Sequence, residues 1–572
     1  MKRCPECRRD YYDDTLLYCL DDGNALLEGP ATASSGDEPA TAILHSTAAP
    51  GEAPTRVQRQ LTEQTAILPT GTGDVVRRHR GVDKRLLFAP IALAVIVLGG
   101  IFGYRYITPA KQINSIAVMP LVNASGESDF EYLSDGMTET LINSLSQLPN
   151  IAVKGRGSVF RYKGSNTEPR QIGVDLGVQA VLSGRLLKRG DSVTLSLDLV
   201  DVSTGNQIWG DQYVRKLSDI VSLQREIAGD VSNKLKTKLS GADKENLAKT
   251  YTADPEAYQL YLQGLFQWNK RTGDSEVKSR EFFQKAIEKD PKYALAYVGL
   301  ATSYVISDRP AEYNLKAKSA ALRALELDPS LGEAHNVLAN VAFYYEWDFS
   351  RAETEFKKAI ELSPNYPTAH HWYGESLAAL GRFDESNGEY AKAAEFDPVS
   401  MAILTDQGMA FIYARQFDRA IEHFKKLLAI DPNYVRTHYY LATAYEAKGL
   451  FQEAIDARRK GFLLDGEDPA RIESMSNRLF GAVKASGANG YWQTQMELSI
   501  ERAKREGNSG DAIDLAINHA NLGNSEKACE LLEVEMKKKR VVFVFLKVDY
   551  IWEKIRSEAC FADIVRRVGV PT

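Results

Sequence analysis

Between residues 291 and 432 the apolar positions of this chain fall at three- and four-residue steps, in blocks that repeat. One block runs Tyr373, Leu377, Phe383, Tyr390 and Ala393; the next runs Phe411, Phe417, Ala420, Phe424 and Leu427. The block before them runs Ala339, Phe343, Ala352, Phe356 and Ala359. Steps of three and four place such side chains on one face of a helix, and a break within each block, at Gly381 for example, divides it into two short helices. Gly374 and Gly408 sit where the paired helices must cross closely. Five prolines close the blocks: Pro291, Pro329, Pro364, Pro398 and Pro432, four of them after Asp290, Asp328, Asp397 and Asp431. Proline cannot continue a helix and stops it. The intervals run from about 34 to 38 residues, the length of a helix–turn–helix solenoid repeat.

This pattern resembles the tetratricopeptide repeat, and about six units from Pro255 to Asp468 carry it, within an all-α array over 254–470. The segment 471–572 is expected to hold a degenerate unit over 512–538, where Ala516, Leu522-Gly523, Ala528 and Leu532 keep the spacing, and then a helical cap. The resemblance implies a surface that holds protein partners. First helices line the concave face of such solenoids, and their offsets select Tyr344, Tyr345, His371, Glu375, Met409, Tyr413, Arg436, Tyr439 and Glu446 as groove candidates. The set is aromatic and mixed in charge, without the paired Lys and Asn that clamp a terminal carboxylate. An internal segment or a folded surface, anchored by tyrosines, is the expected ligand. His335, His370, His371 and His438 fall on first helices of different repeats, so each is expected to be satisfied singly.

Upstream, residues 86–104 form an uncharged run, LLFAPIALAVIVLGGIFGY. At about 1.5 Å per residue it spans roughly 28 Å, close to the ~30 Å of a bilayer core, which predicts a transmembrane helix over 86–107. Arg77, Arg78, Arg80, Lys84 and Arg85 outweigh Arg105 and Lys111. The positive-inside rule then puts the N-terminus in the cytoplasm and the repeats outside it, in a single-pass protein of the cytoplasmic (inner) membrane. The N-terminal stretch 1–27 resembles a short bacterial zinc ribbon in Cys4-Pro5-Glu6-Cys7, Cys19 and Asp22. The resemblance implies a structural zinc on Cys4, Cys7 and Cys19, with Asp22 where a fourth cysteine is usual; a reduced or redox-active cysteine pair is the other reading. Residues 28–85 have linker composition with a basic juxtamembrane end. Thr-Ala-Ile-Leu occurs there twice, from Thr41 and from Thr65, either as a docking or phosphothreonine motif or by chance in a Thr- and Ala-rich tract.

Between membrane and repeats, residues 113–240 alternate strand and helix signals. Strands are expected at 115–119, 151–161 and 180–187, and a hairpin at 192–201 and 207–213 joined by Ser203-Thr204-Gly205-Asn206. Helices are expected at 132–148 and 217–239. The phrases IAVMPLVNASGESDFEYLSDGMTETL and IGVDLGVQAVLSGRLLKRGDSVTLSLDLVDVSTGNQIWGDQY resemble the TolB amino-terminal-like domain. In bacterial proteins of that type the domain stands before tetratricopeptide repeats, often behind a kinase, cyclase or DNA-binding module, and the resemblance implies an interaction or sensory role. This chain shows no Gly-rich phosphate loop before a Lys-bearing strand, and no His-Arg-Asp or Asp-Phe-Gly phrase.

Composition adds exclusions. The 572 residues carry a net charge of -6, which argues against bulk electrostatic binding to nucleic acid. Five cysteines, three of them in the first 19 residues, do not make a disulfide scaffold, and Cys529 and Cys560 read as buried core residues. No catalytic triad, paired-carboxylate arrangement or small-molecule substrate site is legible. The sequence thus describes a multidomain chain: zinc ribbon, transmembrane helix, α/β domain, tetratricopeptide solenoid. Its expected role is a non-enzymatic, membrane-anchored protein-interaction scaffold or signalling adaptor. The alternative is a transmembrane regulator whose ribbon contacts nucleic acid or transcription machinery. Glu6, Asp10, Asp13, Asp14, Asp21 and Asp22 beside Lys2, Arg3, Arg8 and Arg9 make that ribbon a poor phosphate surface.

Overall fold

The computed structural model describes residues 113–571, apart from 149, 236–239, 242–248, 250, 271–272, 306–310 and 508–510, and three short strands before residue 29. The expected transmembrane helix, the linker with Thr41 and Thr65, and Cys4, Cys7, Cys19 and Asp22 lie outside the described residues. Among the described residues no helix is long and apolar enough to cross a membrane. The three early strands, β1 (Lys2–Arg3), β2 (Asp10–Tyr11) and β3 (Leu27–Glu28), pair antiparallel with β1 in the centre. β1 and β2 flank the stretch of sequence that carries Cys4 and Cys7.

The α/β region is built on one mixed sheet. β4 (Ser115–Val118) lies parallel to β6 (Ala152–Val153) and to β7 (Ala180–Arg189), and β5 (Val122–Asn123) pairs parallel with β7. β7, β8 (Ser192–Asp201) and β9 (Gln207–Lys216) form an antiparallel meander. Alternation along β8 sends Val193, Leu195, Leu197 and Leu199 into the core. Gly190 takes φ 60° in the β7–β8 turn, and the Asp201 carboxylate accepts the N–H groups of Ser203 and Thr204 in the next. Helices α1 (Glu131–Ser146), α2 (Arg156–Phe160), α3 (Pro169–Leu176) and α4 (Ile220–Lys234) complete the region.

Residues 151–161, expected as a strand, hold only the two-residue β6 and then α2. Ala152 and Lys154 N–H still donate to the Asn114 and Ile116 carbonyls, but Gly155 N–H donates to the Phe396 carbonyl of the solenoid at 2.7 Å, which ends the ladder. Helix α3 was not expected, although Pro169 in its first turn and left-handed Gly177 (φ 64°) at its end are the usual start and stop signals.

Six helix pairs follow among the described residues. They are α5 (Pro255–Trp268) with α6 (Gly273–Lys289), α7 (Ala294–Tyr304) with α8 (Ala311–Leu327), and α9 (Gly332–Val341) with α10 (Phe349–Leu362). The next three are α11 (Pro367–Ala379) with α12 (Phe383–Phe396), α13 (Met401–Tyr413) with α14 (Phe417–Ile430), and α15 (Val435–Ala447) with α16 (Phe451–Leu464). Small residues let the paired helices touch: a Cβ on Gly264 would lie 2.5 Å from the Phe283 ring, and one on Gly374 3.2 Å from Tyr390. Helix α17 (Pro469–Glu506) bends at Ser486 and Gly487. The expected degenerate unit is α18 (Ala512–Asn521) with α19 (Ser525–Met536), followed by 3-10 turns at Val541–Phe545 and Tyr550–Ile555 and by α20 (Ala559–Val568).

Two features of packing were not legible. One hydrophobic core runs without a break from Ile113 in β4's neighbourhood to Val341 in α9. Its seam is α1 on α5, where a Cβ on Gly136 would lie 2.8 Å from Leu262. The α/β region therefore continues the stack of helices. Second, Cys529 and Cys560 are joined in a disulfide that ties α19 to α20, with Cα atoms 6.1 Å apart. They are a covalent staple, with Cys529 buried and Cys560 exposed.

Candidate site: an inner cavity closed by two clasps

The aspartates that precede the prolines do more than end helices. Asp290 accepts the Thr252 hydroxyl at 2.6 Å, and both oxygens of Asp328 accept the Lys249 ammonium at 3.0 Å. Asn365, just after Pro364, donates to the Leu148 and Ile151 carbonyls at 2.8 Å each. Asp397 accepts the Ser158 hydroxyl and the Gly157 N–H, and Lys154 donates to the Glu395 carbonyl at 2.6 Å. Successive proline turns thus hold the α/β region and the strand of chain that leaves it. Among the described residues the Asp431 carboxylate accepts within its own turn, from Asn433 N–H at 3.0 Å.

A second clasp comes from the C-terminal segment. Phe545 stacks on Tyr413 with centroids 5.1 Å apart, and Phe543 meets Trp347 at 6.0 Å. Arg415 donates to the Val548 carbonyl at 2.5 Å and pairs with Glu553 at 2.8 Å. Lys539 lies over the Tyr345 and Trp347 rings, 5.2 and 5.3 Å from their centroids.

Within these clasps lies a cavity of about 1170 Å³, walled by α1 and α4 on one side and by the first helices of the repeats on the other. That volume is somewhat above the usual range for ligand pockets, about 300–1,000 Å³. Of the groove candidates, Tyr344, His371, Glu375, Met409, Tyr413 and Arg436 line it. Tyr345, Tyr439 and Glu446 are placed elsewhere. Tyr439 packs on Phe462 at 5.5 Å and donates to Asp465 at 3.1 Å, and buried Glu446 accepts from Arg458 and Tyr491. Tyr344 and Tyr413 line the cavity but also pack against Phe545, so the chain itself covers part of each ring.

The charged wall of the cavity is shared by three consecutive repeats. Asp406 on α13 accepts from Arg436 on α15 at 2.7 Å and from His371 on α11 at 3.0 Å. Arg436 also donates to the Tyr440 hydroxyl at 3.0 Å. Burial, with Asp406 as the next cause, holds the Glu375 carboxyl above the ordinary carboxylate range. Sequence offsets missed Asp406 and Tyr440, which stand one turn from chosen positions on the same helices, and Tyr390 on a second helix. Phe545 had no signal in the repeat pattern.

The other histidines are satisfied locally. His335 faces Glu355 at 2.6 Å. His370 donates to the Pro364 carbonyl at 3.0 Å and meets Glu389 at 2.6 Å, and His438 donates to the Pro432 carbonyl at 2.9 Å. Among the described residues no group of three His, Cys, Asp or Glu could hold a metal ion.

Comparison with known proteins agrees with the repeat geometry. Family models described as tetratricopeptide repeat match residues 341–400 and 411–475. Over 241 residues the chain is 32% identical to "Putative adenylate cyclase 3" of Rhizobium meliloti (strain 1021), covering 40% of each protein. Over 197 residues it is 26% identical to the TPR repeat-containing protein YpiA of Bacillus subtilis (strain 168), covering 34% of this chain and 44% of that one. The chain thus spans less than half the length of these curated relatives. The solved structure of PilW, a widely conserved type IV pilus biogenesis factor, overlaps 36% of this chain and 93% of its own, at 20% identity and a TM-score of 0.31. Residues 341–400 and 411–475 are tetratricopeptide repeats, a class that generally mediates protein–protein interaction, and they stand in an all-α array behind an α/β region.

Proposed function

We propose that this protein is a non-enzymatic scaffold or signalling adaptor, anchored by one membrane helix at 86–107, that holds a protein partner along the inner wall of its repeats. The observation that carries the reading is the cavity of about 1170 Å³, lined by the first helices of successive repeats and rich in tyrosine. Tyrosine supplies large rigid contact area with a polar tip, the profile of an interface anchor. The Cys529–Cys560 disulfide supports placing the repeats outside the cytoplasm, because such bonds persist in oxidising compartments. That agrees with the basic flank before residue 86. The TolB-like resemblance of 113–240 and a structural zinc on Cys4, Cys7, Cys19 and Asp22 belong to the same proposal. Zinc content of the purified chain, compared with a Cys4→Ser, Cys7→Ser variant, tests the ribbon.

The partner reading is tested by photo-crosslinking in the native membrane. A benzoylphenylalanine at Met409, which lines the cavity, should trap one recurrent protein; the same probe at Lys426, an exposed residue of α14, should not. Equal labelling from both positions would sink the reading. Incubation of the purified chain with ATP should yield no cyclic nucleotide, and its formation would favour a cyclase reading suggested by the name of the Rhizobium relative.

A further inference from the structure

Two carboxyl groups in the cavity wall have no salt bridge from a described residue. Asp406 takes the Arg436 guanidinium and the His371 ring, so this aspartate and arginine neutralise each other. Glu375 lines the same wall and no salt bridge from a described residue reaches it; its burial outweighs the Tyr344 hydroxyl and the nearby charges of His371 and Arg436. Tyr344, Tyr390 and Tyr413 lie within electrostatic reach of it, each hydroxyl raised by burial first, with the Glu375 charge among the further causes. Near the other end of the cavity stands Glu333, in the first turn of α9. Its Oε2 is buried and has no hydrogen-bond partner. Burial raises this carboxyl too, and its charge is felt by Tyr251 and Tyr261, which line the cavity beside it.

Ionising a buried carboxyl whose neighbours do not offset its burial is unfavourable, and further positive charge stabilises the ionised form. Aromatic rings next to such a carboxyl add the attraction of their negative faces for a cation. An anionic ligand would meet Glu375 and Asp406 with the nearby arginine already engaged. We propose that the cavity binds a positively charged group, an alkylammonium or guanidinium, on Glu375 among Tyr344, Tyr390 and Tyr413. This rests on the reading of the cavity as the partner site and deepens it: a lysine or arginine side chain of the partner is the anchor.

The test uses the full chain in detergent or nanodiscs and two probes. A random dodecapeptide library selected on the wild type should be enriched about tenfold or more in lysine or arginine at one position, the gain of one charge-assisted contact, and the enrichment should vanish on Glu375→Gln. Butylammonium chloride, titrated against sodium chloride of equal ionic strength, should raise Tm of the wild type and leave that of Glu375→Gln unmoved. Enrichment in the library assigns the cation to a peptide; a butylammonium shift without it assigns the same site to a free amine. Selected peptides without basic enrichment, together with no butylammonium shift, overturn the inference and leave the partner reading standing. No selected peptide and no shift overturn both. Should Glu375→Gln fail to fold, Met409→Lys, which places an ammonium in the same wall, replaces it: it should abolish both responses, and a response that persists overturns the inference.

Discussion

Replacing Asp397 by alanine should loosen the clasp between the α/β region and the repeats while leaving the array folded. The carboxylate accepts the Ser158 hydroxyl and, at 3.1 Å, the Gly157 N–H; the Ser158 oxygen in turn accepts the Val399 N–H at 3.3 Å. Hydrogen bonds to a charged acceptor contribute about 1.5–3 kcal/mol each, so the pair is worth about 3–6 kcal/mol before desolvation. Desolvation is large here, because burial outweighs Ser158, Gly157 and Lys154 and keeps the Asp397 carboxyl above its ordinary range. Allowing for it, the net loss should be about 2–4 kcal/mol. The neighbouring bonds of Gly155 to Phe396 and of Lys154 to Glu395 remain, so the clasp opens more often without being lost. At about 1.4 kcal/mol per factor of ten, a loss near 3 kcal/mol multiplies the open fraction by about 100. Amide hydrogen exchange reads this directly. The Gly155 N–H, whose own acceptor is untouched by the substitution, should exchange about 100-fold faster, and amides of α14 should be unchanged. Gly155 protection within about threefold of the wild type would refute the assignment of the clasp to Asp397.

Further consequences can be checked by stability measurements. Burial pushes the Asp549 carboxyl up to about 6, against the opposing Ile551 N–H, Arg415 and Arg556. The folded protein therefore binds this proton more tightly than the unfolded chain, and stability should fall as pH rises from about 4 through about 6, by up to about 3 kcal/mol. Asp549→Asn keeps an acceptor for the Ile551 N–H and should flatten that limb in urea titrations at pH 4 and pH 7; an unchanged slope would speak against it. Gly264→Ala puts a methyl 2.5 Å from the Phe283 ring and should destabilise the first repeat by about 1–3 kcal/mol. An unaltered thermal midpoint would contradict the close crossing of α5 and α6. Reducing Cys529–Cys560, whose partners stand 31 residues apart, should lower stability by about 2–4 kcal/mol, read as a shift of the urea midpoint with dithiothreitol. The Cys529→Ser, Cys560→Ser double variant should show the lower midpoint in either buffer.

Much of the array was legible because its signals are local. Three-and-four spacing, a small residue at each crossing and a proline after each second helix act within about 40 residues, so the six helix pairs and the two helices within 512–538 followed from the chain alone. The same regularity found His371, Glu375, Met409, Tyr413 and Arg436, since equivalent positions of stacked repeats face the same wall. Tyr439 and Glu446 satisfy the offsets equally well and were drawn into contacts with α16 and α17 instead.

By itself, then, the sequence determined the helical repeat, its stops and the α/β region before it, through periodicities that each segment carries independently of its neighbours. Tertiary structure decided what those segments do for one another. Asp290, Asp328, Asp397 and Asp431 read alike before their prolines, yet three of them hold the α/β region or the chain leaving it and the fourth closes its own turn. Whether residues 151–161 extend a strand depended on the Phe396 carbonyl far along the chain. Whether two cysteines are core or staple depended on how α19 meets α20. The carboxyl of Glu375 is of the same kind, because it goes without a salt bridge where Asp406 takes both Arg436 and His371 from the adjoining repeats.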